Sequence, residues 1–289
     1  MTIGCHGLVW TGVFDAPGIR LAAEKTKQAG FDLIEYPLMD PFSFDVAAAR
    51  SALDEHGLQV SASLGLSEAT DISSEDASVV AAGEALLLRA VDVLADLGGT
   101  YFCGVIYSAM KKYLEPATPQ GIANSQRVIA RVADHAAERG VRVAVEVVNR
   151  YETNVLNTSR QALAYLAELD RPNLGVHLDT YHMNIEESDM FAPVLDAADA
   201  LHYVHIGESH RGYLGTGSVD FDTFFRALAR LDYQGPITFE SFSSAVVAPD
   251  LSRMLGIWRN LWTDNDDLGA HANAFIRGKL AAVETIRLH

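Results

Sequence analysis

Val141-Arg142-Val143-Ala144-Val145-Glu146 is a short β-type run that ends on a residue type able to bind metal, and three later stretches repeat the pattern. Leu174-Gly175-Val176-His177-Leu178 leads to Asp179, Leu201-His202-Tyr203-Val204 to His205, and Pro236-Ile237-Thr238-Phe239 to Glu240. Buried parallel strands read as nearly continuous apolar runs. A carboxylate inside one is costly unless it has a metal, a cationic partner or a chemical task. For one Glu alone a structural salt bridge is an adequate reading, but for four strand ends in succession it is not. If the strands are parallel and close into a barrel, these ends share the face on which barrel enzymes carry their chemistry.

Working outward, β-type runs recur near 2–9, 31–36, 58–64, 100–106, 141–147, 173–178, 201–206 and 236–240. Amphipathic helical patterns follow near 17–29, 45–56, 75–97, 119–139, 159–169, 190–198, 220–231 and 250–262. Alternation of this kind implies βα units and a parallel sheet. Eight units predict an α/β fold closed as a (β/α)8 TIM barrel. An open doubly wound sheet is the alternative, but no Gly-rich dinucleotide fingerprint follows the first strand. Asp15-Ala16-Pro17 and Thr118-Pro119 mark helix starts, and Gly30, Gly57 and Gly140 sit where helix C-caps fall. Ser218 or Asp220 caps the helix after the seventh strand. No linker divides the 289 residues, so residues 1–289 read as one domain with a helical extension at about 263–289.

Composition serves mainly to exclude. Hydrophobic residues make up 49% of the chain, enough for a full core, and the formal net charge is −16. That charge opposes a phosphate-backbone partner and an anionic membrane surface. No window is long and apolar enough to span a membrane, and no signal peptide is visible. Cys5 and Cys103 read as buried thiols rather than a disulfide framework, which suits a reducing cytoplasm. A neutral small molecule is the substrate expected.

Glu146, Asp179, His205 and Glu240 are the candidate metal ligands. Three carboxylates and an imidazole favour Mg²⁺, with Mn²⁺ or Co²⁺ as alternatives, over a thiolate zinc site. Four protein ligands on such an ion leave open positions that two adjacent sugar oxygens would fill. His182 reads either as a further ligand or as a substrate contact, and Arg211 could reach back to a substrate oxygen. His177 and His202, inside strands, read as core or supporting residues.

The chain resembles the ketose 3-epimerases, the D-tagatose/D-allulose (D-psicose) 3-epimerase family of xylose-isomerase-like barrels, and within it the bacterial D-allulose-acting members. The resemblance spans essentially the whole chain. It rests on Val145 to Glu152 (VEVVNRYE), His177 to Asn184 (HLDTYHMN), His205-Ile206-Gly207-Glu208 with Arg211, Gly215-Thr216-Gly217, and Phe239-Glu240-Ser241-Phe242. It implies one divalent ion on Glu146, Asp179, His205 and Glu240, with Glu152, His182 and Arg211 around O1 to O3 of a ketose. Glu146 and Glu240 would flank C3 as acid and base and exchange roles in the reverse direction. No nucleotide cofactor is expected. The resemblance further implies a homo-oligomer, dimer or tetramer.

The chain departs from the family at the far end of the sugar. His6 stands where relatives carry an aromatic, and the 107–113 stretch, expected over O4 to O6, holds no Trp. Trp10, Phe14, Phe44, Leu64, Gly65 and Phe242 are expected as pocket walls. Three other readings use the same scaffold or residues: an aldose–ketose isomerase or hydroxypyruvate-isomerase-type enzyme, a multi-metal endonuclease recruiting Glu35 and Glu68, and a non-catalytic sugar binder.

Overall fold

The computed structural model of the chain describes residues 1–287. Eight parallel strands close in sequence order, each paired with its neighbours and β8 returning to β1. They are β1 (Ile3–His6), β2 (Leu33–Pro37), β3 (Gln59–Ser63), β4 (Tyr101–Gly104), β5 (Arg142–Val147), β6 (Leu174–Asp179), β7 (Leu201–Ile206) and β8 (Ile237–Phe239). The helices are α1 (Ala16–Gln28), α2 (Val46–His56), α3 (Ala77–Asp96), α4 (Pro119–Glu138), α5 (Ser159–Ala167), α6 (Thr180–Glu186), α7 (Ala192–Ala197), α8 (Phe221–Leu231), α9 (Pro249–Met254) and α10 (Asn265–Arg287). The expected (β/α)8 barrel is thus the fold, as a single domain.

Local chemistry explains the element ends. Asp15 caps α1 by accepting from the Gly18 N–H, and Thr118 caps α4 through Gly121. Asp220 rather than Ser218 caps α8, accepting from Thr223. Gly57 ends α2 at φ +59°, in the left-handed region that glycine adopts without a Cβ penalty. The packing of α8 follows from spacing: Phe221, Phe224, Phe225 and Leu228 share one face and are buried. Each such side chain contributes roughly 1.5–3 kcal/mol of burial.

Four expected boundaries shift. The first strand stops at His6, and residues 7–9 turn into a 3-10 helix because the His6 ring accepts from the Leu8 N–H. The fourth stops at Gly104, at φ +117°, where a Cβ would lie 2.3 Å from the Leu64 carbonyl. The 190–198 helix is confined to α7 and followed by a 3-10 turn. The helix expected over 250–262 ends at Met254, with Gly256 at φ +66° beyond it. One α-helix was not expected at all: α6 begins directly after β6, with Asp179 as its N-cap.

The C-terminal α10 lies against α8 and β1 and buries Leu268, Ala272 and Ile276. Lys279 to Asp222 at 2.6 Å and Arg277 to Asp32 at 3.0 Å hold it there. Residues 288 and 289 of the expected extension lie outside the described residues. Cys5 and Cys103 are free and buried. Among the described residues, no helix is long and apolar enough to cross a membrane.

Candidate active site

The strand ends converge as the sequence suggests. Glu146 stands inside β5, Asp179 ends β6, His205 is next to last in β7, and Glu240 follows β8. The four residues are 0–7% exposed. Ligand atoms of Asp179, His205 and Glu240 lie within 4.8 Å of one another, as do those of Glu146, Asp179 and His182. His205 Nδ1 is 3.5 Å from Glu240 Oε1 and 3.9 Å from Glu146 Oε1. Opposed ligand atoms on a Mg²⁺-sized ion are about 4.2 Å apart, so both separations fall within one ion's span.

Two further observations fit a cation here. His205 Nδ1 is buried and without a hydrogen-bond partner, although buried nitrogens ordinarily have one. Glu146 is pushed well above the usual carboxylate range by burial and by its neighbours Glu240 and Asp179, with His205 pulling the other way. Glu240 is held low, since His205, Arg211 and His6 outweigh its burial. Crowded carboxylates beside an imidazole form a hard, oxygen-rich donor set that a divalent ion would relieve.

Arg211 closes one side of the cluster. Its Nη1 donates to Glu240 Oε2 at 2.5 Å and to Asp179 Oδ2 at 3.1 Å. Its guanidinium lies 3.8 Å from the Tyr181 ring centre and 5.0 Å from that of Phe242. The backbone at Arg211 is left-handed, φ +60°, a conformation costing about 1–3 kcal/mol for a non-glycine residue. The surrounding loop enforces it. The Arg211 N–H donates to the Glu208 carbonyl, and its own carbonyl accepts from the Ser241 hydroxyl. The buried Glu208 carboxylate in turn accepts from the N–H groups of Ser209, Gly215 and Val219. A Cβ at Gly217 would lie 2.4 Å from Glu208 Oε1, which accounts for the glycine.

His182 and Glu152 complete the polar wall. His182 Nδ1 accepts from the Asn149 backbone N–H at 3.1 Å, so its Nε2 carries the ring proton. Arg211 Nη2, 3.2 Å from that nitrogen, is then a second donor rather than its partner. Two donors therefore converge on the pocket, ready for one acceptor oxygen. Burial holds His182 neutral, its pKa lowered to about 3. Glu152 accepts from Asn149 Nδ2 at 2.8 Å, and burial raises its pKa to about 7 against the pull of Arg211.

These groups open into one pocket. His6 lines it, with Nε2 3.1 Å from Ser63 Oγ and 3.9 Å from Glu240 Oε1. Leu64, Gly65 and Phe242 line it as expected. Trp10, Phe14 and Phe44 do not. Trp10 donates to Thr26 of α1 and packs over Gly269, while Phe14 and Phe44 pack on Tyr36. Of the 107–113 stretch only Met110 reaches the pocket. Tyr107 instead donates to the Glu146 carbonyl, and Ser108 bonds Thr153. The apolar end is built from Pro37, Met39, Leu251 and Leu255, which the sequence reading did not single out. Pro37 ends β2, Met39 follows it, and Leu251 and Leu255 lie in and after the short α9, so no strand or helix period marked them as wall residues.

Glu35 was also missed as a site-supporting residue. It is fully buried, 2.9 Å from His205 Nε2. Glu68, considered with it as an extra ligand, instead pairs with Lys111 at the surface. His177 is fully buried and stands edge-on to His205 at 4.2 Å; His202 is buried in β7.

Comparison with known proteins agrees with this geometry. A xylose isomerase-like TIM barrel family model matches residues 23–260. The chain is 76% identical over 289 residues to a ketose 3-epimerase of Arthrobacter globiformis, covering 100% of each. It is 56% identical to an L-ribulose 3-epimerase of Methylomonas sp. (strain DH-1), covering 95% of this chain and 96% of that one. A crystal structure of D-allulose 3-epimerase from Methylomonas sp. in complex with D-allulose superposes with a TM-score of 0.95 at 54% identity, covering 96% and 97% of the two chains. Three buried carboxylates and an imidazole at four strand ends, a barrel of the matching family and full-length likeness to these enzymes lead to one conclusion: the chain belongs to the ketose 3-epimerases, within the xylose isomerase-like TIM barrels.

Proposed function

We propose that this chain interconverts free ketoses epimeric at C3, D-fructose and D-allulose among the hexoses, using Glu146 and Glu240 as the acid–base pair. The observation that carries the reading is the pair itself: two buried carboxylates on β5 and after β8, both facing His205 Nδ1 at 3.9 and 3.5 Å.

Glu146, Asp179, His205 and Glu240 would hold one divalent ion, Mg²⁺ first, with Mn²⁺ or Co²⁺ as alternatives. When bound, the ion supplies Lewis-acid polarisation of the C2 carbonyl. The proton on C3 is α to that carbonyl and is removed by one glutamate as base. The other delivers a proton to the opposite face. The reverse reaction exchanges the two tasks. His182 Nε2–H and Arg211 Nη2 are placed to donate to one substrate oxygen where enediolate charge develops. Glu152, with its pKa near 7, can exchange a proton with a sugar hydroxyl.

The far end has apolar walls at Pro37, Met39, Met110, Leu251 and Leu255. Such walls contact C4–C6 without demanding a particular hydroxyl pattern. This supports turnover of both pentuloses and hexuloses, in line with relatives named for L-ribulose and for D-allulose. It gives no support to a small keto acid, and the carboxylate such a substrate would bring is already matched at Arg211 by Asp179 and Glu240. The proposal includes a cytoplasmic location, consistent with two free buried thiols, and a dimer or tetramer, which light scattering measures. The reading is tested by treating the protein with EDTA, restoring Mg²⁺, Mn²⁺ or Co²⁺ singly, and resolving the products from D-fructose, D-tagatose and L-ribulose. C3 epimers appearing only with metal are expected. Aldoses as the main products would overturn the reading.

A further inference from the structure

Glu35 has no task in the reading above, yet it is a fully buried carboxylate on β2. Such a group must be compensated by hydrogen bonds or charge. Its Oε2 accepts from the Tyr203 hydroxyl at 2.7 Å and faces His205 Nε2 at 2.9 Å. An ionised carboxylate only accepts, so Tyr203 and His205 are the donors. With its hydroxyl hydrogen directed to Glu35, the Tyr203 oxygen accepts from Ser61 Oγ at 2.6 Å and Thr238 Oγ1 at 2.7 Å. Every proton in this network then has one direction, and the network ties β2, β3, β7 and β8 together. When a cation displaces the Nδ1 proton, His205 keeps the one on Nε2, and the freed lone pair sits on Nδ1, the buried nitrogen without a protein partner that faces Glu146 and Glu240.

We propose that Glu35 is a positioning residue that fixes the tautomer and aim of His205, presenting Nδ1 as a preformed metal-ligating atom. The inference rests on the reading of His205 as a ligand and goes beyond it by assigning a task to Glu35 and to the Tyr203 hydroxyl behind it. Carboxylate–histidine pairs orient the ring and raise its donor strength, and losing the carboxylate typically weakens metal binding on the order of 10–100-fold.

The test is Mn²⁺ titration of the metal-stripped protein, read by electron paramagnetic resonance of free Mn²⁺, for wild type, Glu35→Ala, Glu35→Gln, Tyr203→Phe and Asp179→Asn. Glu35→Ala is expected to weaken binding on the order of 10–100-fold. Glu35→Gln keeps an acceptor oxygen and is expected to recover part of the loss. If Glu35→Ala does not fold, Glu35→Gln and Tyr203→Phe carry the test. Alongside, ¹⁵N NMR of the Mg²⁺-loaded protein should show His205 protonated at Nε2. Wild-type Mn²⁺ affinity in the Glu35 and Tyr203 variants, or a proton on Nδ1, would overturn the proposal. If Asp179→Asn weakens binding while the Glu35 variants do not, the metal site stands and only this inference fails. If Asp179→Asn also binds as wild type, the metal site itself is wrong.

Discussion

The Arg211 guanidinium stacks 3.8 Å from the centre of the Tyr181 ring, and the Arg211 backbone beneath it is left-handed at φ +60°. Stacking, two carboxylates and a loop tied down at Glu208 therefore hold one cation over the mouth of the acid cluster. Cation–π contacts of this kind contribute about 0.5–2 kcal/mol. Tyr181→Phe retains the ring face and should keep kcat/KM within about twofold. Tyr181→Ala should lower kcat/KM by roughly 2–30-fold, the rate equivalent of that energy range. Steady-state kinetics on D-fructose checks both. Equal effects of the two variants would mean that the hydroxyl, not the ring, matters.

The two glutamates predict a paired result. Glu146→Gln and Glu240→Gln each remove one proton-transfer group, so kcat should fall on the order of 10²–10⁴-fold in either variant. Both directions of the reaction should suffer, because each residue serves as base in one and acid in the other. Forward and reverse progress curves with each variant read this directly. The equilibrium constant fixes the ratio of kcat/KM in the two directions, so both must fall together; kcat/KM near wild type in either variant would contradict the pair.

Metal binding should release protons. In the metal-free protein, burial and neighbouring carboxylates raise Glu146, while His205 is raised to about 10 because Glu35 and Glu240 outweigh its burial. A cation competes with the protons that these surroundings favour on both groups. Apparent affinity for Mg²⁺ or Mn²⁺ should therefore rise as pH rises and fall in acid. Titration calorimetry at pH 7 in two buffers of different ionisation enthalpy measures the protons released. A heat independent of buffer would contradict the assignment of these groups as ligands.

The Glu208 loop gives a stability prediction. Its carboxylate accepts from three backbone N–H groups and is buried. Glu208→Ala strands those donors, at about 1–3 kcal/mol for each that water cannot reach. Thermal unfolding should begin several degrees lower, and KM should rise, because Arg211 hangs from the same loop. Glu208→Gln keeps an acceptor and should lose less.

The barrel was legible because β-type runs alternate with helical periods and capping residues mark the joints. Asp15, Thr118 and Gly57 act where the sequence placed them. The convergence of Glu146, Asp179, His205 and Glu240 was legible because each interrupts an apolar run at the same place in its unit. The pairing of Glu35 was not: Glu35 interrupts the run Phe31 to Tyr36 in the same way, but its partner His205 lies 170 residues away and nothing local links the two. The α6 helix was hidden in the strand-end reading of Asp179-Thr180-Tyr181-His182, although Asp179 is an N-cap type. Trp10, Phe14 and Phe44 follow strands one and two and could have faced either the pocket or the helices. Tertiary packing on Thr26 and Tyr36 turned them outward, and Met39, Leu251 and Leu255 took the wall.

The central claim is proton exchange at C3 between two glutamates. It is tested most directly by incubating the Mg²⁺-loaded protein with D-fructose in D₂O, beside an EDTA-treated control, and following the sugar by NMR. The account predicts deuterium at C3, D-allulose as product, and loss of both signals with EDTA. Deuterium at C1 with formation of an aldose would contradict it.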